Sequence, residues 1–144
     1  MTTGDTTGDA TGDATGGTTG GAYRELGEAA WSWVLRQVRE DDGGPWLPES
    51  VEEAPPESAP GERDSLYSGI AGLAPVLAEI RQYRELTATE QALAAGIVTR
   101  LSDLAATATE PSLYDGLAGH ATALRLLAPG TETLALRRLA ELAT

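Results

Sequence analysis

The chain has 144 residues, with 22 acidic side chains, ten arginines, no lysine and a net charge of −12, room for one modest domain. It contains no cysteine, which excludes a disulfide framework, a cysteine nucleophile and any thiolate metal site made by this chain alone. The negative balance, with no basic patch, also excludes a nucleic-acid surface.

The charge is uneven. Residues 1–64 hold 14 acidic and 4 basic side chains, against 8 and 6 in residues 65–144. That excess predicts solvated, extended polypeptide in the first part. No apolar run reaches bilayer length; the best, 70–80, contains Pro75 and Glu79. The amino terminus has neither a basic n-region nor an apolar h-region. A soluble, cytoplasmic protein with no membrane partner is the expectation.

Residues 2–21 are five tetrads, TTGD, TTGD, ATGD, ATGG and TTGG. Glycine in every tetrad and no large apolar residue predict a disordered tail over 1–21. A calcium-binding glycine–aspartate array needs a nine-residue period with an apolar anchor, and this tail has neither. Residues 22–40 read as a helix, with Tyr23, Leu26, Ala30, Trp33, Val34 and Val38 at 3–4 spacing. Trp31 and Trp33 are read as packing area.

Residues 41–64 read as an acidic, proline-rich linker with Gly43, Gly44 and five prolines, in which neither helix nor ladder should persist. Trp46 and Leu47 are its expected anchors to the surface.

Helical periodicity resumes at Gly69, with Ile70, Leu73, Leu77 and Ile80 on one face. Pro75 must then fall in the first turn. Thr87-Ala88-Thr89-Glu90 predicts a capping box, followed by a stripe of Leu93, Ile97, Leu101 and Leu104. Leu117, Ala121, Leu124 and Ala128 line a further helix, which Pro129-Gly130 ends. Residues 131–143 form a last one, with Leu136, Leu139 and Ala143 on one side.

The segment Ser65-Leu66-Tyr67-Ser68-Gly69-Ile70-Ala71-Gly72-Leu73-Ala74-Pro75-Val76-Leu77 recurs 47 residues later. The second copy reads Ser112-Leu113-Tyr114-Asp115-Gly116-Leu117-Ala118-Gly119-His120-Ala121-Thr122-Ala123-Leu124, identical at eight of thirteen positions. A period of this length signals stacked helical pairs, none of which buries its apolar face alone. Glycines at 69, 72, 116 and 119 let backbone approach backbone where a helix begins. The fold class read from the chain is therefore all-α.

These two segments resemble the lanthionine synthetase C-like family, over residues 65–128. The helix at 22–40, then Trp46-Leu47-Pro48, then Leu66-Tyr67-Ser68-Gly69, is similar to that family's opening layout. The resemblance implies an α/α toroid, a ring of helical hairpins whose inner helices open with Gly-x-x-Gly. Residues 22–144 would form an incomplete toroid domain, the amino-terminal portion of the ring. Pro75 departs from the aliphatic residue the family pattern has there.

The family forms lanthionine thioethers by adding cysteine thiols to dehydroalanine or dehydrobutyrine. Zinc held by two cysteines and a histidine activates the thiol, and a histidine elsewhere serves as acid–base. Those residues belong to later repeats, and no cysteine here can inherit the zinc site. The chain alone is thus expected to be non-catalytic, with no catalytic, cofactor-binding or metal residues of its own.

His120, the lone histidine, occupies the place of Leu73 in the first repeat and reads as a structural, partly buried residue. Tyr67 and Tyr114 read as packing beside the glycine entries, and Asp115 as a helix-start residue favoured by the dipole. The partners implied are a precursor peptide, the rest of a toroid, or a second copy docking on leucine-rich flanks such as Leu93, Ile97, Leu136 and Leu139. Two other readings remain: a non-enzymatic helical-repeat module that binds peptide or protein, and the start of another α/α-toroid enzyme, such as a sugar epimerase or hydrolase.

Overall fold

The longest helix, α1, runs from Thr15 to Leu35 in a computed structural model that describes residues 15–48, 50 and 62–144. The chain divides into two compact units at Arg36. In the first unit α1 corrects the expected tail, because residues 15–21 are helical; residues 1–14 lie outside the described residues. Once 22–35 has nucleated a helix, each further residue adds a hydrogen bond without a new nucleus. The expected apolar stripe is also corrected. Tyr23 is 72 % and Leu26 66 % exposed, whereas Trp31 is buried. Among the described residues of its unit, α1 has no second element against which a stripe could pack.

The second unit, Gln37–Thr144, opens with a hairpin where helix and linker were expected. Strand β1, Arg39–Asp41, pairs antiparallel with β2, Gly44–Trp46, in the register Arg39↔Trp46 and Asp41↔Gly44. Two features permit a ladder through a proline. Gly44 takes φ +104°, which an L side chain rarely adopts, and closes the two-residue turn. The pair flanking such a turn exchanges hydrogen bonds, so the next pair, Glu40 and Pro45, needs no N–H from the proline. Glu49 and residues 51–61, half of the expected linker, lie outside the described residues.

A 3-10 turn, Glu62–Asp64, leads to a second one, Ile70–Gly72, and then to α2, Leu73–Tyr83. Helix α3 spans Ala88–Ala105, α4 Leu117–Leu127 and α5 Thr133–Leu142. Pro75 sits in the first turn of α2, where its missing N–H has no intrahelical partner to lose. Thr87 and Glu90 form the capping box. Glu90, 1 % exposed, also takes a bidentate pair from Arg84, both contacts 2.8 Å. That pair fixes the corner between α2 and α3.

Helix α4 packs against α2, α3 and α5, and β2 lies along α3. Ile70, Leu77, Ile97, Leu101, Leu117 and Leu124 are wholly buried, each worth about 1.5–3 kcal/mol by area removed from water. Leu93 and Ile97, expected on an open flank, are buried; Leu136 is half exposed and Ala135 is the buried residue of α5.

Candidate functional site

The two glycine-rich entries lie side by side. The Leu66 N–H donates to the Tyr114 carbonyl at 2.7 Å, and the Tyr67 and Tyr114 rings meet edge to face at 6.2 Å. Both rings are exposed, at 81 % and 60 %, so they pack on each other and not into the core. The glycines are required by proximity. A Cβ on Gly69 would meet the Glu62 carbonyl, one on Gly116 that of Glu110, and one on Gly119 that of Leu113.

Beside the first entry stands a buried ion cluster. Arg100 of α3 donates its Nε to Asp64, its Nη1 to Asp41 at 2.6 Å, and the same Nη1 to the Gly44 carbonyl at 3.2 Å. Arg100 and Asp64 are 8 % and 6 % exposed. The Arg100 guanidinium hydrogen bond holds the Asp41 carboxyl below its ordinary range, against an opposing effect of desolvation. Arg63 adds a second contact to Asp41 at 3.6 Å and stacks over Trp46, 4.2 Å from the ring centre. Trp46 thus ties the hairpin to the turn at 62–64, a contact within the segment expected to be a linker. This cluster clamps hairpin, turn and α3 together, and no periodicity in the sequence announces it.

Next to the second entry a cleft of about 240 Å³ opens between the turn at Asp64, the end of α3 and the start of α4. His120 lines it and is 5 % exposed. Among the described residues neither ring nitrogen makes a hydrogen bond of normal geometry, although the Asp64 main chain approaches the ring. Burial lowers its pKa below the ordinary 6.5, while the nearby Asp64 charge and main chain oppose that shift. A buried polar group left in this state costs about 1–3 kcal/mol. His120 was read as a structural residue; the structure buries it beside Asp64, without a hydrogen bond of normal geometry among the described residues. Asp115 is exposed and lines the same cleft, just before the helix-starting Gly116.

The residues do not fit zinc. The chain has no thiolate and one imidazole, and no three His, Cys, Asp or Glu side chains among the described residues are placed to hold a metal ion. No described helix is long and apolar enough to cross a membrane. No family model, curated protein or solved structure matches the chain.

Proposed function

We propose that this chain supplies helical hairpins to an α/α toroid of the lanthionine synthetase C-like kind, and serves peptide modification as scaffold and not as metal holder. The observation that carries the reading is the pair of Gly-x-x-Gly entries. They lie 47 residues apart in the chain, are joined by the Leu66–Tyr114 hydrogen bond, and open neighbouring helices, α2 and α4. A ring built from repeated hairpins requires its entries to meet in this way, one beside the next.

The exposed Leu113, Tyr67 and Tyr114 beside the entries favour one second reading, a helical-repeat module that binds peptide without chemistry. Leu126, Leu134 and Leu136, also exposed, are apolar surface suited to the rest of a toroid or to a second copy.

The test expresses the chain together with whatever reading frame lies downstream of its gene. The assembly is given zinc and a peptide carrying cysteine and dehydrobutyrine, and free thiol is followed by alkylation and mass spectrometry. Zinc-dependent loss of alkylatable thiol is expected. A folded assembly that binds the peptide and leaves its thiol free overturns the cyclase reading in favour of the binding module.

A further inference from the structure

Helix α1 is held against its composition. Five of its 21 residues are glycine, each costing about 1 kcal/mol against alanine in a helix interior. It therefore depends more than most helices on packing an apolar face. One face is open. Tyr23, Leu26 and Trp33 are 72 %, 66 % and 47 % exposed, and a Cβ added at Gly20, Gly21 or Gly27 would meet nothing within 4 Å. The buried Trp31 lies off that face.

The open face has the spacing of a coiled-coil seam. Tyr23, Leu26, Ala30 and Trp33 recur at 3, 4 and 3 residues, the a and d positions of two heptads. Arg24, Glu25 and Glu28 fall at b, c and f, away from the seam, and Ala22, Gly27, Ala29 and Val34 flank it at e and g. Two copies of a chain with net charge −12 can meet along α1 without like charges opposed.

The face is also complementary to itself. About a point at Glu28, Tyr23 and Trp33 stand five residues to either side, and Leu26 and Ala30 two. Turning a second helix end for end sets each Leu26 against an Ala30 and each Tyr23 against a Trp33, large beside small and ring beside ring. A parallel pair would face Ala30 with Ala30 and leave a gap. With about 150–250 Å² for each buried aromatic ring, the exposed parts of Tyr23, Leu26 and Trp33 supply roughly 400 Å² per copy. The backbone and small residues between them bring the pair to about 1,200 Å² in all, the lower limit of specific interfaces.

We propose that α1 docks antiparallel on α1 of a second copy of this chain, as a weak two-fold contact. It is distinct from the leucine flank of α4 and α5, and it rests on nothing in the toroid reading.

A contact of this size should associate at about 10–100 µM. Sedimentation equilibrium of the full chain across that range should show the mass rising from one chain to two. Y23Q/L26Q keeps good helix formers at two exposed positions and should weaken association by at least about tenfold. L134Q/L136Q, at exposed positions of α5, should leave it unchanged. A thermal transition equal to the parent's separates loss of contact from loss of fold. With no native cysteine, oxidising an equal mixture of L26C and A30C reads the direction, and the mixed disulfide should exceed both symmetric ones. An excess of symmetric disulfides overturns the antiparallel pairing. A single-chain mass throughout leaves the face to a different partner and overturns the proposal, as does association that survives Y23Q/L26Q or is lost in L134Q/L136Q.

Discussion

The two glycine-rich segments share eight of thirteen residues, yet they start their helices differently and bury different chemistry. Ile70 and Leu117, and Leu77 and Leu124, are equivalent pairs, and all four are wholly buried. The second segment enters the α-helix at Leu117, whereas the first makes a 3-10 turn at Ile70–Gly72 and becomes α-helical only at Leu73. The position of Pro75 in the first is held by Thr122 in the second. Proline has no N–H to donate to the carbonyl four residues earlier, so the α-helical ladder cannot run back to Ile70. Leu73, 7 % exposed, fills an apolar site, and its equivalent, His120, puts two ring nitrogens without normal hydrogen bonds there. The same local words therefore build the same core while placing a leucine in one copy and a cleft-lining histidine in the other.

The ion cluster marks the deepest difference, because the first segment is clamped by Arg100 and Asp64 and the second has Pro111 where Asp64 would be. Arg100→Ala leaves the Asp64 carboxylate buried and unpaired, at a cost of about 3–5 kcal/mol. Urea denaturation checks this, and a loss under 1 kcal/mol would mean that the clamp is dispensable.

Glycine substitution sharpens the comparison next. A Cβ on Gly72 would lie 2.8 Å from the Leu66 carbonyl, while one on Gly119 meets the Leu113 carbonyl and also Leu66 Cβ at 3.1 Å. Gly119→Ala is expected to cost about 3 kcal/mol and Gly72→Ala less, both against the normal gain of alanine over glycine in a helix. Thermal melts of the two variants give the order, and its reversal would break the argument.

His120→Leu makes the second segment like the first. It should stabilise the chain by about 1–2 kcal/mol at pH 7, by removing an unsatisfied polar group. The pH dependence has a definite sign. The folded-state pKa lies below the ordinary 6.5, so on acidification the unfolded chain takes up the proton first. The Asp64 charge and main chain limit the shift without reversing it. Native stability is therefore lost as pH falls from about 6.5 to the lower folded-state value, and the loss is constant below that. The gap between H120L and the parent chain should widen over that window in paired denaturation curves; a gap that narrows contradicts the assignment.

The smallest effect belongs to Pro75→Ala, under about 1 kcal/mol in the first turn of a helix. Its readout is structural: Cα chemical shifts of residues 70–72 should move to α-helical values. Unchanged shifts would show that something other than the proline sets the 3-10 start.

Much of the fold was legible because helices are local. The spacing of Leu93, Ile97 and Leu101, the Thr87–Glu90 box and the place of Pro75 each depend on residues within a turn or two of one another. The hairpin was misread because proline was weighed as a ladder breaker. Its harmlessness depends on pairing register, a relation between strands that composition does not contain. The start of α1 was misread because propagation from a formed helix overrides the low propensity of a glycine-rich segment. The glycine entries were legible as close approaches. That Gly119 meets Leu66, across the two repeats, was not.

By itself the sequence determined a mostly helical chain with an internal repeat, the buried stripe of Leu93, Ile97 and Leu101 and the lack of any thiolate chemistry, since all three follow from residue type and short-range spacing. Tertiary structure alone decided that Arg100 reaches Asp64 and Asp41 across 36 and 59 residues. It also decided that His120 is buried beside Asp64 and lines one cleft with Glu110 and Asp115. Burial and charge pairing are properties of distances in space, and residues far apart in the chain acquire them only when the hairpins pack.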